Sequence, residues 1–119
     1  MVFTVPTSTN ASTPNSTILR IAATITATTP PTAGADTVLH VELFQGTAGF
    51  NGFTAIPGTD LPFPITGATT IASLESLPLN ITVTAMTRLV LVAYLTSTTG
   101  ATFTGFVNAG VMMSIGDTA

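Results

Sequence analysis

The chain has 119 residues, 45% of them hydrophobic, and seven charged residues, two basic and five acidic, for a net charge of −3. A disordered chain is excluded by that hydrophobic content, and with both basic residues Arg there is neither a basic patch for a nucleic-acid backbone nor a polybasic anchor for anionic lipid. The absence of Cys removes disulfides and thiol chemistry together.

No run of about 20 apolar residues is present for a membrane helix. The N-terminus has neither the basic start nor the unbroken apolar region of a signal peptide. An outer-membrane barrel would need more strands of about ten residues and flanking aromatic girdles. The chain is therefore expected not to insert into a membrane. Thr makes up roughly a fifth of it. Thr is β-branched and carries a hydroxyl, so it supplies strand faces that are polar without being charged.

Residues 2–5 alternate apolar and polar, and the Ser/Thr/Asn/Pro-rich stretch from Pro6 to Ser16 reads as a loop. From 17 to 28 a longer strand places Leu19, Ile21, Ala23, Ile25 and Ala27 on one face and Arg20, Ala22, Thr24 and Thr26 on the other. Pro30, Pro31, Gly34 and Asp36 form a turn. Residues 38–44 send Leu39, Val41 and Leu43 one way and Val38, His40, Glu42 and Phe44 the other. Gly46, Gly49, Asn51 and Gly52 punctuate a loop, 53–56 is short and extended, and Pro57-Gly58 fits the centre of a type II turn. Pro62 and Pro64 exclude a central strand at that point.

Residues 69–74 and 79–85 are short strand candidates. Residues 88–96 are apolar on both faces, with Leu89, Leu91, Ala93 and Leu95 opposite Val90, Val92 and Tyr94. From 102 to 115, Phe103, Val107, Ala109, Val111, Met113 and Ile115 share one face, with Phe106 and Met112 on the other. Thr98-Thr99-Gly100 is expected to join these two segments as a hairpin. About seven short strands with frequent turns and no helix predict an all-β antiparallel sandwich, a jelly roll or a Greek key, with residues 1–119 as one domain.

The inventory for chemistry is thin: one His, five carboxylates and two Arg. His40 and Glu42 lie two apart on one strand face, where an imidazole and a carboxylate can share a metal, multiplied if three copies meet at an axis. The plainer reading is a polar pair on a wet or interfacial face. Asp60 can be half of a calcium site, but no second acidic residue stands near it in sequence. A Ser or Thr triad would require His40, and no Gly-x-Ser-x-Gly elbow occurs. Asn10-Ala11-Ser12, Asn15-Ser16-Thr17 and Asn80-Ile81-Thr82 match the N-glycosylation pattern, which arises readily by chance in so Thr-rich a chain. Tyr94 and the Phe residues can line a carbohydrate platform, although aromatics within strands more often serve core or interface. The expectation is a non-enzymatic protein with no catalytic residue, cofactor or metal.

Several segments in order carry a resemblance: Val38-Leu39-His40-Val41-Glu42-Leu43-Phe44, Phe53-Thr54-Ala55-Ile56-Pro57-Gly58, Leu79-Asn80-Ile81-Thr82-Val83-Thr84 running into Thr87-Arg88-Leu89-Val90-Leu91-Val92, and Gly105-Phe106-Val107-Asn108-Ala109-Gly110-Val111, with Val2-Phe3-Thr4-Val5-Pro6 ahead of them. Together they resemble the C-terminal globular domain of collagen-like exosporium glycoproteins of spore-forming bacteria, the BclA/BclB type and nearest to BclB-like tails. The resemblance implies a jelly roll similar to C1q and tumour necrosis factor domains, a homotrimer capping a collagen-like stalk, and a location on the bacterial spore surface, the exosporium. Its implied partners are further copies of the chain, the stalk or basal proteins of the spore surface, and host ligands. No Gly-X-Y repeat is present in this chain.

Read this way, the chain is a structural trimerisation domain. Surplus apolar side chains at Val90, Val92, Tyr94, Phe106 and Met112 are expected to form the trimer interface, because few charges are available to keep them soluble on a monomer. The alternatives are an adhesin-like tip that binds ligands through loops such as 45–58, and a self-polymerising fibre subunit.

Overall fold

The computed structural model describes residues 2–5, 16–46, 52–84 and 87–115. The loop reading of 6–15, the turn residues Gly49 and Asn51, the glycosylation-type Asn10 and Asn15, and Asp117 lie outside the described residues. The strands are β1 (Val2–Thr4), β2 (Ser16–Ala27), β3 (Val38–Gly46), β4 (Thr54–Ala55), β5 (Leu61–Pro64), β6 (Ile71–Glu75), β7 (Ile81–Val83), β8 (Arg88–Thr96) and β9 (Gly105–Ser114), with no helix among the described residues. The protein is all-β, and every pairing is antiparallel.

Two sheets share one core. In sheet A, β3 pairs with β8 along its whole length and with β4 and β5 on its other side, while β1 covers β8 at 88–90. In sheet B, β2 lies between β9 on one edge and β6 and β7 on the other. Alternation turns Ile21, Ala23 and Ile25 of β2 inward against Leu39, Val41 and Leu43 of β3, Leu61 and Phe63 of β5 and Leu89 of β8, all buried. Each fully buried Leu, Ile or Phe contributes on the order of 1.5–3 kcal/mol, so this shared strip is what holds the sheets together.

The alternation in β2 is broken once. Its pairing with β9 shifts register between Ile18 and Arg20. Ile18 therefore joins Ile21 in the core at 0% exposure, while Leu19, expected on the inner face, stays half-buried. An extra residue on one strand reverses the facing of everything before it, and a strict period of two cannot foresee that.

The turn at Pro57-Gly58 forms as expected. Gly58 has φ 84°, and Thr59 N–H donates to the Ile56 carbonyl at 3.3 Å, the positive angle that a type II turn requires of its third residue. Immediately after it, β5 adds to β3 as an edge strand, in keeping with its prolines. Ile65 N–H donates to the Thr37 carbonyl at 3.0 Å in the register that sets Pro64 opposite Val38. Narrow pairs alternate along an antiparallel ladder, so Leu61 and Phe63 bond to β3 while the ring nitrogens of Pro62 and Pro64 face away from it.

The hairpin expected between the last two strands does not form. β8 belongs to sheet A and β9 to sheet B, and residues 97–104 cross from one to the other. Eight residues exceed the two to five of an ordinary hairpin loop. Each strand instead pairs elsewhere, β8 with β3 and β9 with β2. The crossing is held by a bridge between Thr32 and Thr102 and by Thr98 N–H donating to Asp36 Oδ2 at 2.7 Å. Hydrogen bonding from Thr98, side chain before backbone, holds the Asp36 carboxyl below its ordinary range.

Candidate functional site

Chemically varied side chains converge on the outer face of sheet A. β3 presents Val38, His40, Glu42 and Phe44 there, directly opposite Thr96, Tyr94, Val92 and Val90 of β8. His40 Nδ1 lies 2.9 and 3.0 Å from the two carboxylate oxygens of Asp60, and Nε2 lies 3.0 Å from Thr96 Oγ1. A carboxylate can only accept, so Nδ1 carries the shared proton. The imidazole stacks on the Tyr94 ring, centroids 4.8 Å apart and planes 13° from parallel. Tyr94 Oη donates to Glu42 Oε1 at 2.8 Å. That hydrogen bond, then desolvation, then the negative charges of Glu42 and Asp60 push the phenol up to about 12.

Sequence spacing paired His40 with Glu42, whereas the structure pairs His40 with Asp60 and Glu42 with Tyr94. Both imidazole nitrogens are engaged, and among the described residues no group of three His, Asp or Glu is placed to hold a metal. The Asp60–His40–Thr96 chain escaped the sequence reading because it depends on the 57–58 turn bringing β5 back beside β3. It has the order of a carboxylate–imidazole–hydroxyl relay. Yet it lies on the outer face of a sheet. What this geometry performs is bracing: it ties β8, β3 and the approach to β5 into one rigid face.

Sheet B has a different outer face. Phe106 is 65% exposed, Met112 60% and Ile71 65%. Between Phe106 and Met112 the sheet surface is formed by Ala22, Thr24, Asn108 and Gly110, short side chains that leave shallow depressions. Arg20 and Glu75 form an exposed ion pair at 2.6 Å at the Met112 end. Along the side where β1 and β8 of one sheet approach β9 of the other, the sandwich opens into an apolar cleft of about 390 Å³, lined among others by Phe3, Leu91, Val111, Met113 and Ile115.

The five interface residues expected from sequence thus fall on two surfaces. Val90, Val92 and Tyr94 are half-buried on the outer face of sheet A, and Phe106 and Met112 stand exposed on the outer face of sheet B. On a single copy they form no common patch. Arg88, the second cation, lies with its guanidinium carbon 4.9 Å over the Phe53 ring, with Nε and Nη2 buried and without a hydrogen-bond partner among the described residues. Asn80, the remaining glycosylation-type asparagine, is exposed. Compared with known proteins, the chain matches no protein-family model, no curated protein and no solved structure.

Proposed function

We propose that this chain is a structural, non-enzymatic module that acts by associating with copies of itself: a jelly-roll subunit that closes into a homotrimer and, following its sequence resemblance, caps a collagen-like fibre at the spore surface. The observation that carries the reading is the exposure of Phe106, Met112 and Ile71 on a chain with so few charges. Exposed apolar side chains of this kind, bordered by polar residues and at one end by the Arg20–Glu75 ion pair, mark an association site. A cyclic trimer is heterologous, so every copy must present two different patches. The outer face of sheet A with Val90, Val92 and Tyr94 and the outer face of sheet B with Phe106 and Met112 supply two. For a fibre of three collagen strands, which have no core of their own, a head that associates first supplies alignment and effective concentration.

The opposed placement of the two patches also favours a second reading. Patches on opposite faces of a sandwich stack copies front to back, and a heterologous contact that does not close by rotation grows into a filament. Light scattering and negative-stain imaging of the purified chain separate these. A mass of three chains without filaments is expected, filaments would replace the cap by a polymerising subunit, and a monomer at micromolar concentration would overturn self-association altogether.

A further inference from the structure

We infer that the free edge of β9 is a docking strand for β9 of a second copy, the two running antiparallel about a two-fold axis at Ala109, so that sheet B continues from one copy into the next. The inference goes beyond the three-fold contact, with which it shares the side chains of Phe106 and Met112.

Three observations carry it. The first is the edge itself. β9 is ten residues long, contains no charge and no proline, and pairs with β2 alone among the described residues. Proteins blunt such edges with Lys, Pro, bulges or a covering loop, and an edge left flat and apolar is a template for another strand.

The second is the direction of its hydrogen-bonding groups. Thr28 N–H donates to the Thr104 carbonyl at 2.9 Å, in the register that sets Thr26 opposite Phe106, whereas Ala27 N–H goes the other way, to Thr70 at 2.7 Å. Narrow pairs alternate, so Phe106, Asn108 and Gly110 bond to β2. The N–H and C=O groups of Val107, Ala109 and Val111 therefore face the free edge. A two-fold axis at Ala109 pairs Ala109 with itself and Val107 with Val111, placing every outward-facing group of this stretch in a narrow pair.

The third is side-chain complementarity in that same register. Phe106 of one copy meets Met112 of the other on the outer face, a favourable aromatic–sulfur pair, and Asn108 meets Gly110. The two most exposed apolar side chains of the strand each gain a neighbour, while the outer surface of the sheet remains open for a face contact. The apolar cleft lined by Val111, Met113 and Ile115 opens on the same side, so in this register the cleft of each copy faces the 103–107 end of the other. The nine residues that pair, 105–113, run about 30 Å, and with a seam about 20 Å deep they give on the order of 600 Å² per copy, somewhat below the roughly 800 Å² per partner of a standard interface.

The test uses the full chain, which contains no native Cys. Ala109→Cys places two thiols directly across the axis, about 5.5 Å apart at Cα, within disulfide reach. Val107→Cys places its two thiols four residues out of register, about 13 Å apart. Near-complete two-chain cross-linking of Ala109→Cys under mild oxidation, with at least tenfold less for Val107→Cys, is the expected result; equal cross-linking of both, or of neither, overturns the inference. Charge supplies a second reading should the cysteine variants fold poorly. Phe106→Glu is expected to remove the two-fold contact, and Phe106→Glu combined with Met112→Lys to return a two-chain species whether or not the three-fold contact, which uses the same two side chains, survives, because the introduced charges lie roughly 20 Å apart within a copy but adjacent across the axis. No loss with the first substitution, or no recovery with the second, sinks the register. Native mass spectrometry of the unsubstituted chain separates this inference from the proposed function: three chains alone overturn the two-fold contact, two alone overturn the trimer, six support both, and one overturns both.

Discussion

The two sheets end in edges of opposite character. At the β5 edge of sheet A the outward backbone positions belong to Pro62 and Pro64, which have no N–H to offer; at the β9 edge of sheet B the outward positions are Val107, Ala109 and Val111, each with a donor and an acceptor that have no partner among the described residues. The outer faces differ in the same sense. On sheet A, His40, Asp60, Thr96, Tyr94 and Glu42 satisfy one another, whereas sheet B presents Phe106 and Met112 unpartnered among the described residues. The polar groups of the one face are satisfied within a single copy, whereas the apolar side chains and outward backbone groups of the other sheet have no partner among the described residues. A shortage of charge is therefore not spread evenly over the molecule, and the location of the unfinished surface says more about function than the composition does.

The largest effect is expected where the comparison does not reach, in the core that both sheets share. Phe63 is 1% exposed on β5 and stands opposite Leu39. Phe63→Ala should lose about 3–5 kcal/mol of stability in a denaturant titration, because the vacated space cannot collapse against two sheets at once. A loss under about 1 kcal/mol would mean that β5 is not part of the common core.

A smaller effect should follow from giving the blunted edge the donors it lacks. Pro62→Val with Pro64→Val restores two outward N–H groups, each worth about 0.5–1.5 kcal/mol in a new ladder. Set in an Ala109→Pro background, where the β9 edge has lost its central outward donor, sedimentation should show a mass above that of the Ala109→Pro chain, gained through β5. A double-proline replacement that adds no mass at any concentration would show that the prolines do not protect this edge.

How much of this was legible in the sequence depended on how local the determinant is. The period of two in 38–44 located β3 and its inner residues, because a half-buried strand must alternate. Residues 88–96, apolar on both faces, located β8 but not its inner face, of which Leu89 alone is fully buried and Ala93 is exposed. Pro57-Gly58 located the type II turn, because only glycine accepts that backbone angle without strain. The bulge beside Ile18 was not legible, since it is set by pairing with β9 from far along the chain. Nor was the separation of β8 from β9, which depends on β2 and β3 each claiming a neighbour. The Asp60–His40 contact spans 20 residues and follows from strand register, whereas the pairing drawn from sequence, His40 with Glu42, rested on spacing alone. Direction of exposure was readable for Phe106 and Met112, but which residues share a patch requires knowing which sheet each strand joins.

The smallest effect concerns the finished face of sheet A, and it can be read from one side chain. The chain holds a single Tyr, no Lys and no Cys, so between pH 9 and about 12 the only side chain able to titrate is Tyr94. Its hydrogen bond to Glu42 pushes the phenol up to about 12 in the folded protein, with desolvation adding to the shift, against about 10 in an unfolded chain. A folded value raised above the unfolded one stabilises fully below the unfolded value and loses that contribution as pH climbs through the folded one. Stability should therefore hold to about pH 10 and decline toward about 12, with tyrosinate absorbance appearing near 12 in native protein and near 10 in denaturant. Glu42→Gln should bring the native midpoint down toward 10, because the charged acceptor and its field are removed together. Tyr94→Phe should cost about 1 kcal/mol near neutral pH and abolish the alkaline decline. A native midpoint near 10 in the unsubstituted chain would mean that the Tyr94–Glu42 bond does not persist in solution, and the outer face of sheet A would then be as unfinished as that of sheet B.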